Sequence, residues 1–161
     1  MQGWDEVLLR RMSLLNVDMI APHYDESAFD EIETPAKAER FIRRNLGKVH
    51  PDWVSILMFF RRPALESIGL FDERYFVTCE DADLRERMKR AGLRYCQVGD
   101  CSIWHFSKGT RGQVQMPSDY EAEGLRLFME KWGFDPCAED RTLPMRFRRR
   151  WKKVKTKLGL F

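Results

Sequence analysis

The sequence lacks several features by which a function class is commonly recognised. Its 161 residues contain no uncharged apolar run of the roughly 18–20 residues that a transmembrane helix needs. No glycine-rich loop follows a predicted strand, which excludes a P-loop and a dinucleotide-binding fingerprint. The first residues carry neither a basic region nor an apolar stretch, so we expect no signal peptide.

Cysteine is scarce, and its spacing does not favour a metal site. The four cysteines are Cys79, Cys96, Cys101 and Cys137, and no two of them form a CxxC pair. A zinc ribbon is therefore not expected. Without an export signal, free thiols in a reducing compartment are the ordinary state, and we predict a cytoplasmic location.

Acidic residues are absent from the last part of the chain. All 25 of them lie at or before Asp140, whereas eight of the 28 basic residues follow Pro144. The net charge is therefore −5 up to residue 144 and +8 in residues 145–161. An acidic body argues against nucleic acid as a partner over a broad surface. We treat residues 145–161 as a separate basic tail.

The pattern of this tail predicts a cationic amphipathic helix. Phe147, Trp151, Val154 and Leu158 share one helical face, and the opposite face is almost wholly Lys and Arg. Such a helix can lie in the interface of an anionic membrane. Alternatively, its aromatic face packs on the domain while the cations stay solvated.

Hydrophobic periodicity and capping signals predict a chain that alternates helices and strands, which is typical of an α/β fold or a mixed layer. Helices are predicted at 4–15, 34–46, 63–68, 80–91 and 118–132, and strands at 17–21, 54–60, 93–98 and 102–106.

Three local signals define these boundaries. Residues 54–60 are nearly all apolar, as expected of a strand that is covered on both faces. Pro22 is expected to end the first strand. Ser118 and Glu121 have the spacing of a capping box at the start of the last helix.

The densest acidic cluster is Glu80, Asp81 and Asp83, at the start of a predicted helix. Acids in a first turn complement the helix dipole, which is a sufficient structural reason for them. A carboxylate at Asp81 could instead take a proton from an attacking hydroxyl as a general base. A third interpretation is a divalent metal bound by Asp81-Ala82-Asp83.

His105 follows a predicted strand and precedes a polar loop that contains Lys108 and Arg111. It is either a packed, hydrogen-bonded histidine or a metal ligand. The cationic loop could hold a diphosphate. His23 and His50 have no comparable setting, and both are expected at the surface.

Four segments occur in an order and at spacings that resemble a known family. They are Arg61-Arg62-Pro63-Ala64-Leu65, Ile68-Gly69-Leu70-Phe71-Asp72-Glu73, Glu80-Asp81-Ala82-Asp83-Leu84 with Arg87 and Gly92, and His105. This run resembles the second half of family 2 glycosyltransferases, inverting enzymes of the GT-A fold that include many bacterial rhamnosyltransferase-like proteins. The resemblance covers about residues 17–133.

The resemblance implies roles for individual side chains at the acidic cluster. Asp81 matches the family's catalytic base, and Glu80 and Asp83 match residues that line the acceptor site. His105 matches a histidine that helps to hold a divalent metal, Mg²⁺ or Mn²⁺, in some members.

The loop after His105 also has a counterpart in the family. Lys108, Thr110 and Arg111 match the flexible segment that closes over the donor diphosphate. The resemblance thereby implies a nucleotide-sugar donor and a divalent metal cofactor.

The fold that the resemblance implies is α/β, with the mixed sheet and flanking helices of a partial GT-A domain, the nucleotide-diphospho-sugar transferase type. The family's N-terminal half, with its nucleotide-binding βαβ units and DxD motif, has no counterpart in the sequence. Residues 1–144 therefore match the C-terminal part, which supplies acceptor site and base. An exposed strand edge in such a part favours self-association or a partner chain.

The function implied is transfer of a sugar from a nucleotide-sugar to a hydroxyl, with inversion, in cell-surface polysaccharide synthesis. The acceptor is expected to be a saccharide or a lipid-linked saccharide at the inner face of the membrane, where the basic tail would make the protein peripheral. The alternative is a non-catalytic remnant that binds a glycan or a partner protein.

Overall fold

The structure, a computed structural model, describes residues 3–23, 34–51, 53, 56–103, 115 and 118–136. Helices and strands alternate within these ranges, as predicted. The helices are α1 (Trp4–Leu15), α2 (Pro35–Asn45), α3 (Arg62–Ile68), α4 (Glu80–Arg90) and α5 (Tyr120–Trp132), and the strands are β1 (Met19–His23), β2 (Val49–His50), β3 (Phe59–Phe60) and β4 (Tyr95–Ser102).

The strands form one mixed sheet in the order β2-β4-β1-β3. The central pair, β1 and β4, is parallel, with Met19 opposite Tyr95 and Ala21 opposite Gln97. The outer strands are both antiparallel to their neighbours, β3 to β1 and β2 to β4. This mixed α/β architecture, an open four-stranded sheet with flanking helices, confirms the predicted fold class and is consistent with a partial GT-A fold.

Successive side chains of β1 enter different parts of the core, because side chains alternate between the two faces of a strand. Ile20 packs with Leu8 and Met12 of α1. Met19 and Ala21 pack instead with Met88 of α4. β1 is buried along its whole length because both of its faces are covered.

The helices begin and end close to where the sequence predicted them, because their signals are local. The predicted bounds of α1 are confirmed. Thr34 caps α2, its Oγ1 accepting a hydrogen bond from the Lys37 backbone N–H at 3.3 Å, and Pro35 occupies the first turn. Gly92 follows α4 with a φ of 67°, in the left-handed region that favours glycine after a helix.

The strands differ more from their predicted bounds. β1 continues through Pro22 to His23. β3 pairs only with Met19 and Ile20. In the described part of the sheet, Pro22 therefore has a neighbouring strand, β4, on one side only. Proline is tolerated at such an edge because it has no N–H to donate to a further strand.

The apolar segment 54–60 was predicted to be a strand covered on both faces, and this was wrong for the part that is described. Only Phe59–Phe60 is a strand; it is half-buried and lies at the edge of the sheet. Residues 54 and 55 lie outside the described residues. β4 is one strand of eight residues where two short strands were expected, and the second of these, 102–106, extends into residues that are not described.

The capping box predicted for α5 does not form. The N-cap residue is Asp119, without a side-chain capping hydrogen bond. The carboxylate of Glu121 accepts a hydrogen bond from the Tyr120 hydroxyl at 3.0 Å instead of reaching back to the helix end.

His23 was expected at the surface, but it is only 8% exposed. It ends the central strand β1, and its ring stacks between His50 of β2, at 4.2 Å between ring centroids, and Phe41 of α2, at 5.5 Å. His50 is partly buried. The position of β1 inside the sheet explains the burial of His23.

The described residues fall into two compact units. The first comprises residues up to 71 and those of 84–115, and the second comprises 72–83 with 118–136. The boundary falls within α4, between Asp83 and Leu84. Across the described ranges, none of the helices combines the length and the apolar character needed to cross a bilayer.

Candidate active site

The acidic cluster predicted from the sequence occupies the first turn of α4. Glu80 and Asp81 are partly buried, whereas Asp83 is 0% exposed. The last turn of the same helix is basic, so the charges at both ends complement the helix dipole. The dipole therefore accounts for the presence of acids here, but not for their different burial.

One carboxylate oxygen of Asp83 is held by two donors of the second unit. Its Oδ1 accepts a hydrogen bond from the indole Nε1 of Trp132 at 2.8 Å, and the ammonium Nζ of Lys131 lies 2.8 Å from the same oxygen. Both donors belong to the last turn of α5. Asp83 thus joins the first turn of α4 to the end of α5, and its predicted role in lining an acceptor site stays a prediction.

Asp81 differs from Asp83 in its contacts. Its Oδ1 accepts a hydrogen bond from the backbone N–H of Ala82 at 2.8 Å. Within the described ranges its Oδ2 makes no hydrogen bond, and the side chain is partly exposed. Asp81 therefore presents a partly exposed carboxylate, and one of its two oxygens makes no hydrogen bond within the described ranges.

The backbone that leads into this turn is strained. Val77 and Cys79 have φ values of 60° and 68°, in the left-handed region that costs a β-branched or other non-glycine residue on the order of 1–3 kcal/mol. Thr78 lies between them and packs closely against Gly124 of α5, where a Cβ would come within 2.6 Å of the Thr78 carbonyl oxygen. Packing by α5 therefore holds the conformation that precedes Glu80.

Two arginines of the motif segments, Arg61 and Arg87, have structural roles. Arg61 donates through Nε to the Val17 carbonyl at 2.9 Å, just beyond the end of α1. Arg87 donates through Nη1 to the carbonyls of Ile68 and Gly69, at 2.6 and 2.7 Å, and so satisfies the end of α3. These two motif positions stabilise helix ends in the first unit.

Asp72 of the Phe-Asp-Glu segment is the centre of an ion-pair network. Arg74 donates to both of its carboxylate oxygens, at 2.9 and 2.7 Å, and Lys131 donates to Oδ2 at 2.8 Å. The hydrogen bonds from Arg74 and then from Lys131 hold the pKa of Asp72 well below its usual range. Asp72 also accepts a hydrogen bond from the backbone N–H of Arg74.

Tyr75 lies beside this network and is 7% exposed. Burial, together with the negative charges of Asp83 and Asp72, raises the pKa of the Tyr75 hydroxyl to about 12. The ammonium of Lys131 lies 5.9 Å from the centroid of the Tyr75 ring. Tyr75, Lys131, Trp132 and Gly124 were not identified from the sequence, since no local pattern marks residues that meet only when α5 packs on segment 72–83.

The described residues offer no metal centre. No group of three or more His, Cys, Asp or Glu side chains is placed to hold an ion within the described ranges. Asp81-Ala82-Asp83 does not fit a metal, because the carboxylate of Asp83 already faces an ammonium and an indole N–H. The predicted ligand His105 lies outside the described residues.

The predicted diphosphate-binding loop is likewise outside the described residues. It comprises Lys108, Thr110 and Arg111. Their roles, and that of His105, stay predictions.

Comparison with known proteins gives one kind of match. A 62-residue segment of the chain is 36% identical to an N-acetylglucosaminyl-diphospho-decaprenol L-rhamnosyltransferase, found in two strains of Mycobacterium tuberculosis. The matched segment is 38% of this chain and 20% of the relative, so it spans about a fifth of the length of the curated relatives. No protein-family model and no solved structure matches the chain. The chain is thus similar, over a short segment, to a glycosyltransferase, which agrees with the general family that its motifs indicate.

Proposed function

We propose that this chain carries the acceptor and base part of an inverting glycosyltransferase, with Asp81 as the general base. The observation that supports this best is the contrast within one helical turn. Asp83 is buried and its Oδ1 is held by two donors of α5, whereas Asp81 is partly exposed and has an oxygen that makes no hydrogen bond within the described ranges. The similarity to a rhamnosyltransferase supports the reaction class.

In the proposed reaction, the hydroxyl proton of the acceptor passes to the carboxylate of Asp81. The acceptor oxygen forms a bond to the anomeric carbon of the donor sugar while the bond from that carbon to the diphosphate breaks. Attack from the face opposite the leaving group inverts the configuration. Glu80 is proposed to contact the acceptor beside Asp81.

The leaving nucleoside diphosphate gains negative charge as it departs. We assign its stabilisation to the loop with Lys108, Thr110 and Arg111, because cationic and hydroxyl groups bind phosphate oxygens. A divalent metal with His105 as a ligand belongs to the same proposal. No step is assigned to a metal at Asp81 or Asp83.

The relative's name supplies a candidate acceptor class. That protein acts on N-acetylglucosaminyl-diphospho-decaprenol and transfers L-rhamnose. For this chain we propose an acceptor of the same chemical class, a saccharide on a lipid diphosphate. The basic tail, residues 145–161, would then hold the protein at an anionic membrane surface on the cytoplasmic side.

The test is the substitution Asp81→Asn, which removes the base and preserves the shape of the side chain. The full chain, together with a chain that supplies the nucleotide-binding part, is incubated with a panel of nucleotide-sugars, a lipid-diphosphate saccharide and Mn²⁺. Release of nucleoside diphosphate and formation of glycosylated product are measured. Loss of a general base is expected to lower turnover by about 10²–10⁴-fold.

The matched control is Asp119→Asn, the same chemical change at an exposed position that makes no side-chain cap. This variant is expected to keep normal turnover. An Asp81→Asn variant as active as the Asp119→Asn variant would contradict the role of Asp81. Saccharide binding with no turnover in any variant would favour the non-catalytic glycan-binding alternative.

A further inference from the structure

One ammonium group connects the two ends of the segment that precedes and includes the acidic turn. Nζ of Lys131 lies 2.8 Å from Oδ2 of Asp72 and 2.8 Å from Oδ1 of Asp83. Asp72 begins this segment and Asp83 ends it, so a single side chain of α5 closes it into a loop.

The three charged groups that close the loop are largely shielded from water. The side chain of Asp83 is 0% exposed, that of Asp72 is 16% exposed and that of Lys131 is 27% exposed. Solvent screens such a pair less than an exposed one, so loss of the Lys131 ammonium removes a counter-charge from a carboxylate that water does not reach. Trp132 supports the same oxygen of Asp83 with a neutral hydrogen bond.

The loop that Lys131 closes contains the strained residues. Val77 and Cys79 adopt left-handed φ values, and they relax if the ends of the loop separate. The close packing of Thr78 on Gly124 is the second point at which α5 holds the loop. α5 therefore contacts the loop at its two ends and at Thr78, and these contacts restrict the backbone conformation at Cys79 and Glu80.

The helix transmits this constraint to Asp81. Residues two apart in an α-helix are separated by roughly 200° around its axis. A side chain at Asp83 that is fixed against α5 therefore directs Asp81 away from α5, where it is partly exposed. If the first turn of α4 rotates, the direction of the Asp81 carboxylate changes with it.

We propose that Lys131 is a positioning residue for Asp81 and acts through Asp72 and Asp83. This inference rests on the proposed function for its catalytic consequence. The geometric part, that Lys131 fixes the backbone before Asp81, can be tested without any activity.

The thiol of Cys79 reports that geometry, because it lies within the strained loop and is partly buried, whereas Cys96 and Cys101 are buried in the first unit. The experiment measures alkylation rates at each cysteine by peptide mass spectrometry in the full chain. Lys131→Met, which removes the charge and keeps the length, is expected to raise the rate at Cys79 roughly 5–30-fold. The rates at Cys96 and Cys101 are expected to stay unchanged.

The chain provides a matched control on the same helix. Arg126 also bridges two carboxylates, Glu123 at 2.7 Å and Glu130 at 2.8 Å, but on an exposed face. Arg126→Met is expected to leave the rate at Cys79 unchanged, and Lys131→Arg is expected to recover at least part of the wild-type protection. An unchanged Cys79 rate in Lys131→Met overturns the proposal.

If Lys131→Met unfolds the chain, Cys96 and Cys101 react as fast as Cys79, and Trp132→Phe decides the question. That variant replaces the indole by a smaller ring without the N–H donated to Asp83 and keeps Lys131. A smaller rise at Cys79 with Cys96 and Cys101 protected supports the proposal, and no rise overturns it. In the glycosyltransferase assay, Lys131→Met is expected to lower kcat with little change in KM, and Lys131→Arg to restore part of it. Normal turnover in Asp81→Asn with the Cys79 result intact would refute the proposed base and leave the positioning geometry standing.

Discussion

Replacing Gly124 with alanine tests whether α5 holds the strained segment before the acidic turn. A Cβ at this position would lie 2.6 Å from the carbonyl oxygen of Thr78 and 3.0 Å from its Cβ. The nearest atom belongs to the backbone, so it cannot move aside as a flexible side chain would. Thr78 can retreat only if Val77 and Cys79, which flank it, change their left-handed conformations.

Two opposing effects determine how much Gly124→Ala changes the free energy of unfolding. Inside a helix, alanine is favoured over glycine by about 1 kcal/mol. Forcing extra volume into a packed contact costs about 1–3 kcal/mol, and a fixed backbone neighbour places this contact near the upper end. We therefore expect Gly124→Ala to lower the free energy of unfolding by about 1–2 kcal/mol, which corresponds to a fall in Tm of roughly 2–4 °C per kcal/mol.

The assay is urea unfolding followed by tryptophan fluorescence, with Ala122→Gly as the control. Ala122 is exposed on the same helix, so the control measures the intrinsic difference between alanine and glycine without a close contact. If Gly124→Ala stabilised the protein by about as much as Ala122→Gly destabilises it, the close approach of α5 to Thr78 would be refuted. The alkylation rate of Cys79 in Gly124→Ala should also rise, for the reason given for Lys131→Met.

The remaining predictions concern acid stability and the tail. The pKa of Asp72 is lower in the folded than in the unfolded state, so its stabilising effect is present above about pH 4 and is lost as the pH falls below that. Urea unfolding at several pH values should therefore show a shallower loss of stability toward acid in Asp72→Asn than in wild type or Asp119→Asn, and equal slopes would contradict the network. For residues 145–161 we expect co-sedimentation with anionic vesicles that weakens with salt and is lost when the segment is deleted. Equal binding to neutral vesicles, or no loss on deletion, would favour a tail packed on the domain.

The helices could be predicted from the sequence because each carries its own start and stop signals. The cap at Thr34 and the glycine after α4 involve residues within a few positions of each other. The strands could not be bounded in the same way. Gly99 continues β4 because its N–H donates to the Lys48 carbonyl at 2.9 Å, and that contact joins residues distant in sequence. An apolar run such as 54–60 likewise does not reveal whether it becomes a central or an edge strand.

The candidate site likewise contains residues that a local pattern reveals and residues that only the fold brings together. Three acids in four positions are visible in the sequence, and so the cluster could be identified. Lys131 and Trp132 lie 48 and 49 residues beyond Asp83, and nothing local marks them as its partners. The left-handed φ values at Val77 and Cys79 were also unpredictable, because neither residue type favours that region and only tertiary packing maintains it.

The structural and catalytic interpretations of the acidic cluster are compatible, because they apply to different members of it. The helix dipole favours any acid in the first turn of α4 and any base in its last turn, and it makes no distinction between Asp81 and Asp83. Burial makes that distinction. Asp83 is 0% exposed and its Oδ1 is held by two donors of α5, so its carboxylate is not presented to a substrate. Under the proposed function, the same contacts hold the turn that carries Asp81, so the buried acid sets the direction of the neighbouring base.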